Sequence, residues 1–138
     1  MSSATAAAKA MSADELSHEI IKAALKVHTA LGPGLLESAY RGCLAHELRR
    51  SGFKIETEVL LPVVYDGVRL DFGYRIDMVV NDLVIVELKA VEEISRVHIA
   101  QTLSYMKLSK KPLGLVINFN VLRLKDGIKR LVEGSEWK

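Results

Sequence analysis

The sequence has almost no cysteine and no long apolar run, and both shortages exclude classes of protein. Cys43 is the only cysteine in 138 residues, so the chain forms no intrachain disulfide and no thiolate metal cluster. The longest uncharged stretch, Pro112 followed by 113–122, is shorter than the ~18 apolar residues that a membrane span requires. Lys9 interrupts the Ala/Ser-rich start before it resembles the apolar core of a signal peptide. We therefore expect a cytoplasmic protein.

Several catalytic motifs are also missing. The chain has no glycine-rich phosphate loop that ends in Lys-Ser/Thr and no Gly-x-Ser-x-Gly elbow. His46-Glu47 lacks the second histidine of a zinc-protease helix. These absences argue against a P-loop nucleotide hydrolase, a serine hydrolase of the elbow type and a zinc protease.

The composition is that of an ordinary globular protein. Hydrophobic residues make up 49% of the chain and charged residues 26%, and the length suits one core. We predict a flexible tail at residues 1–13 and a single domain at residues 14–138. The net charge of +2 is compatible with a polyanionic partner but does not require one.

Apolar periodicity and turn signals predict a mixed α/β order of elements. A first helix begins near Ser12 or Asp14 and ends at Gly32-Pro33-Gly34. An Asp66-Gly67 pair predicts a tight hairpin turn. The remaining predicted elements are a helix at 35–50, strands at 53–61 and 68–80, a central hairpin at 74–90, a crossover helix at 93–109, and strands at 113–119 and 127–132.

The central hairpin carries three charges where a core strand would be apolar. Asp77 lies in its first strand, and Glu87 and Lys89 lie in its second. Buried charges are costly unless they are paired or bind a metal, so chemistry is expected here first. Glu87 and Lys89 are two residues apart on a strand and therefore share one face, with their side chains roughly 7 Å apart.

Two hairpin registers are possible. A two-residue loop at Asn81-Asp82 places Asp77 opposite Val86, whereas a three-residue loop at 81–83 places Asp77 opposite Glu87. We predict the second register because it unites the charges. Facing carboxylates repel each other and raise one pKa, and a divalent cation would remove that penalty.

These residues suggest a metal site. Asp77, Glu87 and the main-chain carbonyl of Leu88 offer oxygen ligands suited to Mg²⁺ or Mn²⁺ rather than zinc. Lys89 would position or help to deprotonate an attacking water. The alternative is a solvated sheet face on which Glu87 pairs with Lys89, and Asp77 with Arg75.

Two helices bring further polar residues toward the same cleft. Glu37 shares a helical stripe with Tyr40, so it could complete the metal's ligand set directly or through water; alternatively, it only favours the helix macrodipole. On the crossover helix, His98, Gln101 and Tyr105 share one side. His98 and Gln101 could bind phosphate or water and Tyr105 could stack, unless this side is an ordinary exposed face.

A family resemblance now connects these residues. Asp77 followed by Glu87-Leu88-Lys89 resembles the signature of the PD-(D/E)XK nuclease superfamily. Gly34-Leu-Leu-Glu37-Ser-Ala-Tyr40 resembles the motif of its GxxExxY family, and Gln101-x-x-x-Tyr105 is similar to the recombination-exonuclease branch. The resemblance covers about residues 14–132. Ile76 stands where the superfamily name has proline.

The resemblance implies a restriction-endonuclease-like, three-layer α/β/α core with a mixed central sheet and an antiparallel central hairpin. It implies that Asp77 and Glu87 bind the metal, that Lys89 serves the attacking water and that Glu37 assists. Gln101 and Tyr105 would contact substrate or order the site, a role also expected of Tyr40 and His98, although His98 belongs to no superfamily signature.

The predicted function is a Mg²⁺-dependent phosphodiesterase that hydrolyses nucleic acid through metal-activated water, with Mn²⁺ as a substitute; DNA is favoured over RNA as its substrate, but the sequence leaves the choice open. The alternative is a non-catalytic module that keeps the fold and binds nucleic acid or a protein partner. A homodimer or a partner would supply specificity. Three basic clusters would bind phosphates if they converge on one rim of the cleft: Arg49-Arg50-Lys54, Lys107-Lys110-Lys111 and Lys125-Lys129-Arg130.

Overall fold

The computed structural model describes residues 11–134, which form three α-helices and seven β-strands. Most of the predicted tail at 1–13, and residues 135–138, lie outside this range. The helices are α1 (Ala13–Leu31), α2 (Glu37–Arg50) and α3 (Arg96–Ser109). The strands are β1 (Ile55–Leu60), β2 (Val63–Tyr65), β3 (Val68–Leu70), β4 (Arg75–Val80), β5 (Val84–Lys89), β6 (Leu113–Asn118) and β7 (Ile128–Val132), and a 3₁₀ turn at Leu124–Gly127 precedes β7.

Five strands form a mixed sheet in the order β1-β4-β5-β6-β7. β4 and β5 are antiparallel neighbours, whereas β5 and β6 are parallel and are connected by α3. One apolar core joins α1 and α2 to one face of the sheet, and a smaller one joins α3 to the other. The predicted three-layer α/β/α fold with a mixed sheet and a central antiparallel hairpin is confirmed. No helix within residues 11–134 has the length and apolar character to cross a membrane.

Serine caps determine where two helices begin. The Ser12 hydroxyl accepts the backbone N–H of Glu15, so α1 starts at Ala13 and includes the end of the predicted tail. Ser95 caps α3 in the same way through the backbone N–H of His98. The predicted start of this helix at residue 93 is therefore wrong by three residues, because the cap holds Ser95 in an extended conformation.

The predicted strand at 68–80 is interrupted. β3 ends at Leu70 and pairs only with β2, through the predicted Asp66-Gly67 turn. Asp71 Oδ1 then accepts the N–H of Gly73, whose φ of 80° is a left-handed conformation that glycine adopts without strain. This local turn ends one strand and starts the next, so the small β2–β3 sheet is separate from the central sheet.

The central hairpin has the predicted register. Val80 pairs with Val84 and Met78 pairs with Val86, so the loop comprises residues 81–83. A two-residue loop would instead have paired Val80 with Leu83. One further step along the same alignment places Asp77 opposite Glu87.

Candidate active site

Asp77 and Glu87 each accept a hydrogen bond from a backbone N–H of the strand that carries the other acid. The backbone N–H of Asp77 donates to Glu87 Oε2 at 2.8 Å, and the N–H of Leu88 donates to Asp77 Oδ2 at 2.9 Å. The main-chain pairing of β4 with β5 stops at Met78 and Val86, one residue before these acids. The two carboxylates therefore accept strand N–H groups at the point where the hairpin ladder ends.

Glu87 binds its proton more tightly than an ordinary glutamate does. Its side chain lies in the buried core, where the residue is only 3% exposed. Burial raises the pKa of Glu87 to about 8, the negative charge of Asp77 adds to the rise, and the Asp77 N–H and the Lys89 ammonium oppose it. Ionising both acids at neutral pH is therefore costly without an additional cation.

The donor set fits a hard divalent cation. Within residues 11–134, no group of three or more histidine, cysteine, aspartate or glutamate side chains is arranged to hold a metal. A metal at Asp77 and Glu87 would thus rest on two carboxylates, completed by main-chain oxygen and water. Mg²⁺ is commonly held in this way, whereas a structural zinc site uses four protein ligands.

Lys89 is connected to helix α3. Its ammonium group donates to Gln101 Oε1 at 3.5 Å, and Tyr105 follows Gln101 by about one turn of α3. Burial raises the pKa of Tyr105, and the nearby charge of Glu87 raises it further. The fold therefore brings Lys89, Gln101, Tyr105 and Glu87 together, as the polar strip on the predicted crossover helix suggested.

His98 has a local role at the start of the same helix. Its ring Nδ1 accepts the backbone N–H of Ser95 at 3.0 Å, which completes the capping box. Within residues 11–134 this ring forms no hydrogen bond or ion pair with Asp77, Glu87 or Lys89. The structure therefore places His98 as a helix-capping residue.

Glu37 reaches the end of β5. Its side chain is exposed, and Oε2 accepts the N–H of Ala90 at 3.2 Å. Ala90 directly follows Lys89, so Glu37 lies at the end of the strand that carries Glu87 and Lys89. Any contact of Glu37 with a metal would have to use its other oxygen or a water.

Tyr40 orders the turn before α2. Its ring is fully buried and stacks on Phe119, with the ring centroids 4.4 Å apart. Its hydroxyl donates to the carbonyl of Gly32 at 2.6 Å and accepts the N–H of Leu35 at 3.1 Å. Tyr40 thereby fixes the segment that carries Glu37, which is a positioning role.

Arg41 is a residue of this site that the sequence analysis missed. Its guanidinium lies 3.8 Å from Asp77 Oδ1 and 3.3 Å from Glu58 Oε1. Glu58 has a φ of 51°, and the pairing of β1 with β4 skips the position at which Glu58 would face Asp77. The available signal was spacing, because Arg41 follows Glu37 by four residues and so lies on the same helical face.

Asn118 is a second missed residue, and it holds the loop after Lys89. Its side chain is buried, accepts the N–H of Val91 at 3.1 Å and donates to the carbonyl of Val91 at 2.8 Å. The N–H of Phe119 donates to the carbonyl of Lys89. A polar residue at the end of an apolar strand was the signal that could have identified it.

The ion pairs of the alternative interpretation are absent from the described residues. Lys89 bonds to Gln101 rather than to Glu87, and Arg75 donates to the carbonyl of Tyr74 rather than to Asp77. Part of the predicted basic surface is also engaged locally. Arg50 pairs with Glu47, Lys54 with Glu56, Lys111 with Asp82, and Arg130 with Asp14.

Comparison with known families agrees with this geometry. The model of the PD-(D/E)XK nuclease superfamily matches residues 14–131. The chain therefore belongs to the PD-(D/E)XK nuclease superfamily. No curated protein and no solved structure matches the chain significantly.

Proposed function

We propose that this protein is a Mg²⁺-dependent nuclease that hydrolyses phosphodiester bonds of nucleic acid, with DNA as the favoured substrate and Mn²⁺ as a substitute metal. The observation that carries the proposal is the reciprocal bonding of Asp77 and Glu87. It fixes the buried carboxylate of Glu87 beside the half-buried carboxylate of Asp77, where their charges repel. A cation would relieve that repulsion. Because the chain belongs to a nuclease superfamily, the bound cation would take part in phosphodiester hydrolysis.

The metal-holding groups are Asp77, Glu87 and the carbonyl of Leu88, with Glu37 contributing through water. Bound there, Mg²⁺ would supply Lewis-acid stabilisation of the phosphate charge and lower the pKa of a water. Asp77 and Glu87 are held by strand N–H groups, so little ordering is needed before they bind. This preorganisation is the contribution of the hairpin.

Lys89 orients the attacking water. Its ammonium group would orient the water and stabilise negative charge as the oxygen adds to phosphorus and one phosphorus–oxygen ester bond breaks. Gln101 restricts the Lys89 side chain, and Tyr105 lies about one helical turn after Gln101 on the same side of α3. We assign Gln101 and Tyr105 to ordering this arrangement, and Arg41 to balancing the charge of Asp77.

We also propose that the chain is a GxxExxY protein within the superfamily. The support comes from the Gly34-to-Tyr40 segment. Tyr40 holds the turn in place, and Glu37 contacts the end of the catalytic strand. In this arrangement the tyrosine and the glutamate of the motif have different tasks, one structural and one at the site.

Cleavage assays on the purified protein test the function. Labelled DNA and RNA are incubated with Mg²⁺, with Mn²⁺ or with EDTA, and Glu87→Ala and Lys89→Ala are compared with Glu92→Ala and Lys22→Ala, whose side chains are exposed. We expect metal-dependent cleavage that is lost in the first pair and kept in the second. Activity that survives both site substitutions would exclude the proposal. Binding without any cleavage would favour the non-catalytic module.

A further inference from the structure

A row of aromatic rings leads from solvent to the carboxylates. Phe72 is 61% exposed, Tyr74 is 45% exposed, and Tyr105 is 6% exposed. The ring centroids of Phe72 and Tyr74 are 6.4 Å apart, and those of Tyr74 and Tyr105 are 6.1 Å apart. Tyr105 lies one helical turn after Gln101, which contacts Lys89 at 3.5 Å, and it packs in the same apolar cluster as Ile76, the residue before Asp77, so the inner end of the row lies beside the candidate active site.

The backbone presents these rings in a fixed way. Asp71 Oδ1 bonds to the N–H of Gly73 between the two outer rings, and the carbonyl of Tyr74 accepts the N–H of Leu61. The fold gains little from the ring of Phe72, since most of it faces water. Large aromatic faces that are exposed but held by an anchored chain segment are suited to a flat ligand.

We propose that Phe72 and Tyr74 stack on unpaired bases of a single-stranded nucleic acid whose phosphate enters the site at Asp77 and Glu87. This inference rests on the proposed nuclease function and names its substrate class. Every base has an aromatic face, and only an unpaired strand can offer that face to a protein ring without first disrupting the duplex. The continuity of the row with Tyr105 favours a strand that runs toward the carboxylates over a protein partner on the hairpin.

The charges of this segment favour stacking over phosphate attraction. Arg69 and Arg75 are offset by Asp66 and Asp71, so the segment 65–75 has no net charge. Salt weakens contacts to phosphate but acts little on stacking. The contribution of Phe72 to binding should therefore persist as salt is raised.

The test measures binding in a background that does not cleave. In the Glu87→Gln protein, anisotropy of a labelled 20-nucleotide single strand and of the matching duplex is followed for Phe72→Ala, Tyr74→Ala and the control Leu25→Ala. Leu25 is an exposed apolar residue on α1, which packs on the other side of the sheet from α3. We expect roughly tenfold weaker single-strand binding for each ring variant, at low and at high salt, and no change for the control.

A second measurement reports stacking directly. In Phe72→Trp, the added indole fluorescence should be quenched by the single strand and not by the duplex. Equal affinities of Phe72→Ala and its parent for the single strand, or a preference of the parent for the duplex, would overturn the inference. The inference would also be overturned if Phe72→Ala changed only the self-association of the protein, because the aromatic row would then be a protein interface.

The two proposals fail separately. Ring-dependent binding of single strands without cleavage by the wild-type protein would leave this inference standing and remove the nuclease function. The reverse outcome is metal-dependent cleavage of duplex DNA as efficient as that of single strands, with no loss of activity in Phe72→Ala. That result would leave the nuclease function standing and remove this inference.

Discussion

Asp77 and Glu87 each bind the strand that carries the other, since Glu87 Oε2 accepts the N–H of Asp77 and Asp77 Oδ2 accepts the N–H of Leu88. This exchange holds the two acids together at the end of the hairpin ladder, and the burial of Glu87 raises its pKa from 4.5 to about 8. The folded protein thus binds this proton more tightly than the unfolded chain does. The stabilisation that follows is complete below the ordinary pKa and is lost as pH rises through about 8.

Our first prediction is a dependence of stability on pH that Glu87→Gln removes. Without divalent cations, the free energy of unfolding of the wild-type protein should fall by a few kcal/mol between about pH 5 and pH 9, because each pKa unit corresponds to about 1.4 kcal/mol. The glutamine cannot ionise but can accept the same N–H, so its curve should be flatter. Urea denaturation at a series of pH values measures both.

Glu92→Gln is the control for this prediction, because Glu92 is an exposed acid outside the hairpin. It should follow the wild-type curve. A wild-type stability that rises between pH 5 and pH 9 by the amount expected to be lost would contradict the raised pKa of Glu87.

The second prediction concerns the proton that metal binding displaces. If Mn²⁺ binds the ionised pair, Glu87 must lose its proton, so the apparent affinity should increase from about pH 6 to pH 8 and then level off. Calorimetry in buffers of different ionisation enthalpy should detect about one proton released at the lower pH. Asp77→Asn should abolish the binding.

Asp82→Asn is the matched control for Asp77→Asn. Asp82 lies in the loop of the same hairpin and pairs with Lys111 at 3.0 Å, at the end opposite the site. Its variant should bind Mn²⁺ as the wild-type protein does. Binding retained in Asp77→Asn and lost in Asp82→Asn would place the metal elsewhere.

The hairpin register could be predicted from the sequence because strand side chains alternate with a period of two. Only one loop length brings Asp77 opposite Glu87. Because isolated buried charges are unfavourable, the sequence favoured the register that brings the charged residues together. The order of elements followed from apolar periodicity in the same way. These are local signals, read within a few residues of one another.

Arg41 and the break in the strand at 68–80 were beyond such reasoning. Arg41 reaches Asp77 and Glu58 from another layer, and a contact between layers leaves no periodic pattern. The break depends on the hydrogen bond that the Gly73 N–H donates to Asp71 Oδ1, in a segment whose composition also suits a strand. Glu37 shows the same limit, because its helical face was predicted but its contact with Ala90 depends on where α2 begins.

The third prediction separates the roles of Lys89 and Gln101. Lys89→Ala removes the group at the attacking water, and we expect kcat to fall by about 10²–10⁴. Gln101→Ala leaves Lys89 charged but frees its side chain, so kcat should fall by about tenfold with KM unchanged. Initial rates of cleavage of a labelled oligonucleotide, over a range of substrate concentration and pH, give kcat and KM for both variants.

Gln101→Glu distinguishes positioning from general damage to the fold. Its carboxylate can still accept from the Lys89 ammonium group, so cleavage should be partly restored and its pH profile displaced to higher pH, because a nearby negative charge stabilises the charged lysine. Equal loss in Gln101→Ala and Lys89→Ala would contradict the positioning role.

The fourth prediction is that Arg41 competes with the metal for Asp77. Arg41→Met keeps most of the side-chain volume but removes a positive charge 3.8 Å from Asp77 Oδ1. Mn²⁺ should then bind several-fold more tightly, because two cations near one carboxylate repel each other. Without metal, the free energy of unfolding should fall by up to about 1 kcal/mol.

Arg50→Met serves as the control, since Arg50 lies on the same helix and pairs with Glu47 away from the site. Weaker Mn²⁺ binding in Arg41→Met would mean that Arg41 orients Asp77 for the metal rather than competing with it.

The last prediction separates the structural tyrosine of the Gly34-to-Tyr40 segment from its acid. Tyr40→Phe keeps the ring stack on Phe119 but leaves the carbonyl of Gly32 and the N–H of Leu35 without their shared hydroxyl. Losing such partners costs about 1–3 kcal/mol, so urea denaturation should show a loss of that size. Glu37→Gln, whose side chain is exposed, should leave stability nearly unchanged while reducing metal-dependent cleavage. A stable Tyr40→Phe protein together with a strongly destabilised Glu37→Gln protein would reverse the two assignments.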